Sequence, residues 1–205
     1  MKAAVRTLAI LLVLAAYGFC PARSNGAPVV PLSRAAVTAI ASLTDSAGHR
    51  HKASELTGRI VVLFFFCGCE QCHAVAREWS LEEQSEYATA PGQKPPAPPP
   101  ITIVDFAGSA DEAQQFAADT SLAKMDPSPI LLVDPAAKLR PRFRVEQCPQ
   151  AFVFDRSARN AYSTLAIKDT QAVSPIEIAA RCLSAVRRVQ TQPENGKIAA
   201  EKSHD

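Results

Sequence analysis

The stretch IVVLFFFCGCEQCH, residues 60–73, decides the fold. Six apolar residues, Val61 to Phe66, run into Cys67, Gly68, Cys69, Glu70, Gln71, Cys72 and His73. A continuous apolar run rich in Val and Phe reads as a strand buried on both faces. Cys72, Val75, Ala76 and Trp79 then recur at helical spacing, which predicts a helix from near Cys69 to about Tyr87. Cys69 would meet the unpaired amides and positive dipole end of that helix, which favour a thiolate. Cys72 stands one turn on, within reach of a mixed disulfide formed at Cys69.

Working outward, the chain has 205 residues, room for one well-buried domain with extensions. An apolar share of 47% and 20% charged residues are ordinary for a globular protein. A net charge of +2 leaves no basic footprint for nucleic acid or membranes, so neither is expected as a partner. Six cysteines are too few for a disulfide scaffold at this length but enough for a redox or metal site.

Residues 1–27 read as a secretory signal. Lys2 and Arg6 precede an apolar run from Leu8 to Phe19. That run is shorter than the roughly 20 residues of a membrane span. Cleavage after Ala22, Gly26 or Ala27 fits; an uncleaved anchor is the alternative, and only then would the membrane be a partner. Cys20 lacks the small neighbours of a lipoprotein box. Export places the thiols in an oxidising compartment, the bacterial periplasm or another extracytoplasmic face. With Cys20 removed, Cys67, Cys69, Cys72, Cys148 and Cys182 remain, an odd set in which one thiol stays unpaired or pairs transiently.

Residues 28–36 read as a linker, and Val37 to Leu43 as an edge strand or hairpin arm. His49 and His51 fall in a polar loop. Ala53 to Leu56 suits one helical turn closed by Gly58. The segment PGQKPPAPPP, residues 91–100, reads as a polyproline insertion. Ile101 to Phe106 and Ile130 to Val133 are further strands, separated by a helix with capping-box spacing at Ser109 and Glu112. Lys138 to Val145 is a basic short helix with an extended exit. Cys148-Pro149 leads into a strand at Ala151 to Phe154, and Ala161 to Leu165 reads as the returning hairpin arm. Ser174, Pro175 and Glu177 signal the start of a last helix whose inner face carries Ile178, Cys182, Leu183 and Val186. Residues 191–205 read as a polar, disordered tail.

Three stretches resemble the thioredoxin-like superfamily, in particular exported redoxin domains of the TlpA/ResA and AhpC/TSA type. They are GHRHKASELTGRIVVLFFF, the Cys69-Glu70-Gln71-Cys72 motif, and LLVDPAAKLRPRFRVEQCPQAFVFD. The resemblance spans about residues 37 to 190. It implies an α/β domain over 37–190, a central mixed sheet flanked by helices, with an N-terminal strand extension. It also implies that Pro149 is cis and faces the CxxC motif where a partner's cysteine docks. The activity implied is thiol–disulfide exchange through a redox-active Cys69–Cys72 disulfide, on protein or small-molecule thiols. A monomer, an unidentified redox partner and no organic cofactor go with it.

The chain departs from that family in ways that shape the expectations. Leu63 stands where thioredoxins keep a buried Asp. Glu70-Gln71 lacks the usual proline, and Glu70 would repel a thiolate on Cys69 while a charged His73 would favour it. Cys67 and Cys148 are unusual: a second redox pair, metal ligands or small buried hydrophobes fit them. With Cys69, Cys72 and His73 they form the donor set for the alternative reading, a soft-metal carrier for Cu(I) or Zn(II). A peroxiredoxin-like peroxidase with antioxidant activity is the other alternative, although the family's Pro-x-x-x-Thr/Ser-x-x-Cys pattern is missing. Cys69-x-x-Cys72-His73 also matches a haem c attachment motif; Met125 is the only methionine outside Met1, which disfavours haem. A purely structural Cys69–Cys72 disulfide is the plainest reading of the pair, and core packing that of Cys182 and Trp79.

Overall fold

In the computed structural model, residues 30–88 and 98–192 are described. The signal segment with Cys20, residues 91–97 of the proline-rich insertion, and the tail from 193 lie outside them.

Ser33 opens helix α1 (Arg34–Ser42), its hydroxyl accepting from the Ala36 amide at 3.1 Å. The expected linker at 28–36 and strand at 37–43 are therefore corrected: residues 34–42 are helical, and there is no N-terminal strand extension among the described residues. Ala36, Ile40 and Leu43 are buried at three- and four-residue spacing, and that periodicity overrides the local β-branched character. A short α2 (Ala53–Leu56) follows as expected.

Strand β1 (Val61–Phe66) is buried along its whole length. Around it stand β2 (Ile101–Phe106), β3 (Ile130–Val133), β4 (Gln150–Phe154) and β5 (Asn160–Ser163), in the order β3-β2-β1-β4-β5. β1, β2 and β3 are parallel; β4 and β5 are antiparallel to their neighbours. Helix α3 (Glu70–Tyr87) connects β1 to β2, and α4 (Ala110–Asp119) connects β2 to β3. The Ser109–Glu112 capping box forms as expected. The short α5 (Arg140–Phe143) precedes β4, and α6 (Pro175–Thr191) closes the fold. The helix starts at Pro175 as the signals at 174–177 predict, although Ser174 makes no side-chain cap hydrogen bond there. β5 ends at Ser163, and Thr164–Ala166 is a 3-10 turn rather than more strand.

Alternation along β1 divides the core. Val62, Phe64 and Phe66 meet Trp79 of α3 and Ala179, Cys182 and Val186 of α6. Val61, Leu63 and Phe65 meet Ile40 of α1 and Phe143 of α5. On the first face the Phe64 ring lies 5.5 Å from Trp79, whose indole N–H donates to Thr102 Oγ1 at 3.3 Å. On the second, Phe143 lies 5.4 Å from Phe65 and 5.5 Å from Phe152. Each such ring contributes about 2–3 kcal/mol by leaving water.

The outer edge of β3 is covered by the loop after α1. The Val133 amide donates to Thr44 O at 3.0 Å and the Ser46 amide to Leu131 O at 2.8 Å. The loop itself is pinned by His51, whose ring nitrogens reach Asp45 Oδ2 at 3.0 Å and Glu55 Oε2 at 3.1 Å, a structural use of this histidine. No helix of the described residues is long and apolar enough to cross a membrane.

Candidate active site

Where β1 ends, the chain turns through Cys67 and Gly68 into α3. Gly68 has φ +78°, the left-handed region that favours glycine. Cys69 is the N-cap of α3, half-buried, in extended backbone. Cys72, one turn in, is completely buried. All five described cysteines are free thiols. Cys69 Sγ lies 3.3 Å from Cys72 Sγ, and Cys67 Sγ lies 3.8 Å from Cys72 Sγ on another side. These three sulfurs fall within 4.8 Å of one another.

Cys148 joins them from the far side of the chain. The Cys148–Pro149 peptide is cis, as expected, and so is Asp126–Pro127. Cys148 stands outside the three-sulfur group, and its thiol and those of Cys72 and Cys67 influence one another's acidity. Arg140, at the start of α5, donates from Nη2 to Cys148 Sγ at 3.3 Å and to Phe66 O at 3.4 Å. The fourth sulfur is thus tied to a cation and to the end of β1.

Two glutamine amides fasten the loop before α6 to the same place. Gln71, inside the CxxC motif, donates to Thr170 O at 3.2 Å and to Val173 O at 2.6 Å. Gln171 reaches the other way, donating to Cys69 Sγ at 3.5 Å and to the Cys148 carbonyl. Glu70 is exposed in the first turn of α3. His73 packs edge-on against Phe116, with ring centroids 4.6 Å apart, and is not part of the three-sulfur group.

These contacts separate the four thiols. Burial raises the Cys69 thiol, but hydrogen bonds from Gln171, from the Cys72 amide and from the neighbouring thiols outweigh it and bring it below the ordinary range. That direction holds despite Glu70. Cys148 is lowered to about 5, chiefly by the hydrogen bond from Cys72, against burial, with Cys67 and the Arg140 guanidinium adding to it. Cys72 is raised strongly, first by donating to Cys148 and then by burial. Cys67 is raised to about 11 by burial and by its hydrogen bond with Cys148. Although Cys67 is an exposed residue, its sulfur turns inward to Cys72. The tendency to ionise therefore lies with Cys148 and, more weakly placed, with Cys69, while Cys72 and Cys67 are pushed toward keeping their protons.

Below the cluster lies an acid that the sequence reading did not single out. Asp105 on β2 sits opposite Phe65 of β1, fully buried, with neither carboxylate oxygen hydrogen-bonded. Burial and the nearby Asp134 raise it to about 8, against the pull of Arg140. Asp105 was visible as the one charge in ITIVDF; Arg140 was hidden in a basic run, and nothing local marks Gln171.

No family model matches this sequence, and no curated protein matches it. Solved structures do. A secreted disulfide oxidoreductase of Mycobacterium tuberculosis, homologous to E. coli DsbE, superposes with a TM-score of 0.52 at 18% identity, covering 69% of this chain and 93% of that one. DsbF of the same organism gives 0.53 at 16%, covering 73% and 97%. The mixed five-stranded sheet flanked by helices agrees with that likeness. The chain has the thioredoxin-like fold. Xanthomonas campestris peroxiredoxin Q shares it too, with a TM-score of 0.52 at 15% identity over 74% of this chain and 94% of that one. At these identities the likeness is one of fold, so a thioredoxin-like chain's chemistry here rests on its own sulfurs.

Proposed function

We propose that this protein is an exported thiol–disulfide oxidoreductase acting through Cys69 and Cys72. The observation that carries this reading is the asymmetry of the pair: Cys69 is half-exposed and lowered, Cys72 is buried and raised, and their sulfurs are 3.3 Å apart. The Cys69 thiolate attacks a disulfide of a protein or small-molecule partner. The partner's S–S bond breaks and one partner thiolate leaves. Cys72 then attacks Cys69 Sγ and expels the second partner thiolate, and its proton passes to that departing thiolate. The Gln171 amide borders the sulfur that the partner meets, and the resemblance gives Pro149 the same place. No organic cofactor takes part, and an external thiol or dithiol partner restores the reduced pair. Export is supported by the basic and apolar start of the chain and by the secreted neighbour.

Insulin reduction tests the reading. Cys69→Ser and Cys72→Ser are each expected to lose about a hundredfold or more, because each removes one half of the exchange. Equal rates in all three proteins would overturn it.

The three-sulfur group supports a second reading, a thiolate site for Cu(I) or Zn(II) built from Cys67, Cys69 and Cys72. Sulfurs bound tetrahedrally at about 2.3 Å stand about 3.8 Å apart, close to the spacing seen between Cys67 and Cys72. Titration of the reduced protein with either ion, followed by metal analysis, is expected to give one bound ion per chain under this reading. No bound metal removes it. Peroxide consumption by the reduced protein is the corresponding test for the peroxidase reading.

A further inference from the structure

At the end of β1 away from the sulfurs lies a cavity of about 540 Å³ that the proposed exchange does not use. Its walls are the start of α1, α2 with residues 57–59, and the connection between β4 and β5. β1 separates it from the cysteines by roughly 20 Å of extended chain. The Leu32 amide donates to the Ala158 carbonyl at 3.0 Å and ties two of the walls together. Leu32 and Leu56, both buried, and the half-buried Val37 give the cavity an apolar lining. Beside that lining stand three guanidiniums, those of Arg34, Arg59 and Arg156. None of the three is in an ion pair among the described residues, although Arg156 is half-buried. The one carboxylate of the walls, Asp155, is held by Arg159 at 2.8 Å, so its charge is already matched. Residues 1–29, which lead up to the cavity in sequence, carry Lys2, Arg6 and Arg23 and no acid, so they offer no counter-charge. A cleft lined by one sign of charge with low-dielectric walls focuses its field and concentrates counter-ions. The planar guanidinium fork matches carboxylate and phosphate oxygens two at a time.

We propose that this cavity binds a small amphipathic anion, a carboxylate, sulfonate or phosphate ester on a hydrocarbon body. Arg34, Arg59 and Arg156 hold the charged head, and Leu32, Val37 and Leu56 take the apolar part. The volume suits such a ligand, since small-molecule sites run from about 300 to 1,000 Å³ and combine an apolar lining with a few polar anchors. The site stands apart from the sulfurs and does not depend on the redox reading.

The test titrates the full chain with 8-anilinonaphthalene-1-sulfonate, an anion on an aromatic body, and follows its fluorescence. One saturable site per chain is expected. Arg156→Met and Arg59→Met are each expected to weaken binding about tenfold. Arg59 is exposed, so its replacement reads the charge even if Arg156→Met disturbs packing. Arg142→Met is expected to bind as wild type does, because Arg142 lines the neighbouring hollow on α1 and not this cavity. Uncharged N-phenyl-1-naphthylamine is expected to bind about tenfold more weakly than the sulfonate. Octanoate and octyl phosphate are expected to displace the probe, the better competitor naming the head group, whereas inorganic phosphate at the same concentration does not. Cys69→Ser is expected to bind the probe unchanged, so loss of the redox reading leaves this site standing. The inference is overturned by an absence of saturable binding, by binding that Arg59→Met and Arg156→Met leave unmoved, or by equal binding of the uncharged compound. Failure of both octyl anions to compete also overturns it, as does an equal loss in Arg142→Met, the mark of a general attraction to basic surface.

Discussion

Cys72 at the tip of α3 and Cys182 in the middle of α6 are both 0% exposed. Burial raises both thiols. Yet Cys72 has two other sulfurs beside it, Cys69 at 3.3 Å and Cys67 at 3.8 Å, whereas Cys182 belongs to the hydrocarbon core with Ile178, Ala179 and Val186. Burial alone thus says little about the use of a cysteine. What separates the two is the company each keeps: a second sulfur for the bond.

The sharpest way to break this contrast is substitution. Cys72→Ala is expected to abolish insulin reduction, a loss of about a hundredfold or more, while Cys182→Ala leaves the rate within about twofold and costs roughly 1 kcal/mol of stability. Denaturant melts alongside the insulin assay read both numbers. A Cys182→Ala variant as inactive as Cys72→Ala would erase the distinction.

The next effect concerns Cys148. Cys148 is lowered to about 5 from an ordinary 9.0, with Cys72 first and Arg140 among the causes. Arg140→Met is expected to move the pH midpoint of Cys148 alkylation up by about one unit or more, with the other thiols blocked or mapped separately. The sign for stability follows from the lowered value. The favourable contribution of this thiolate is complete above pH 9.0 and is lost as pH falls through about 5. An unmoved midpoint in Arg140→Met would show that the guanidinium does not hold the charge.

The smallest expected effect lies one layer down. Asp105 is raised to about 8 from 3.8, mainly by burial and by Asp134. Its favourable contribution to stability is complete below pH 3.8 and is lost as pH rises through about 8. Asp105→Asn is expected to flatten the fall in melting temperature between those limits by a few degrees. An unchanged slope would place the titrating group elsewhere.

The parts of this molecule that were legible in sequence are the locally encoded ones. The apolar run of β1, the helical spacing after Cys72 and the Ser109 capping box each specify an element from adjacent residues. The cis-proline came from the resemblance, through the residues around Cys148. Helix α1 was misread because Ala, Val and Ile over residues 35–43 satisfy both a strand's composition and a helix's spacing, and burial of Ala36, Ile40 and Leu43 decides it. The environment of the sulfurs was not legible, because it is assembled across the fold. Arg140 reaches a carbonyl 74 positions away, and Gln171 reaches a sulfur 102 positions away. Asp105 comes under the cluster only through the β1–β2 register.

The covering of β3 by residues 44–46 bears on how a chain with the proposed activity would meet a polypeptide. A protein that trades covalent links handles partly unfolded polypeptides, and an open ladder would let one zip on as a sixth strand. With Thr44 and Ser46 already occupying that rail, a client of the proposed exchange finds no free edge along β3.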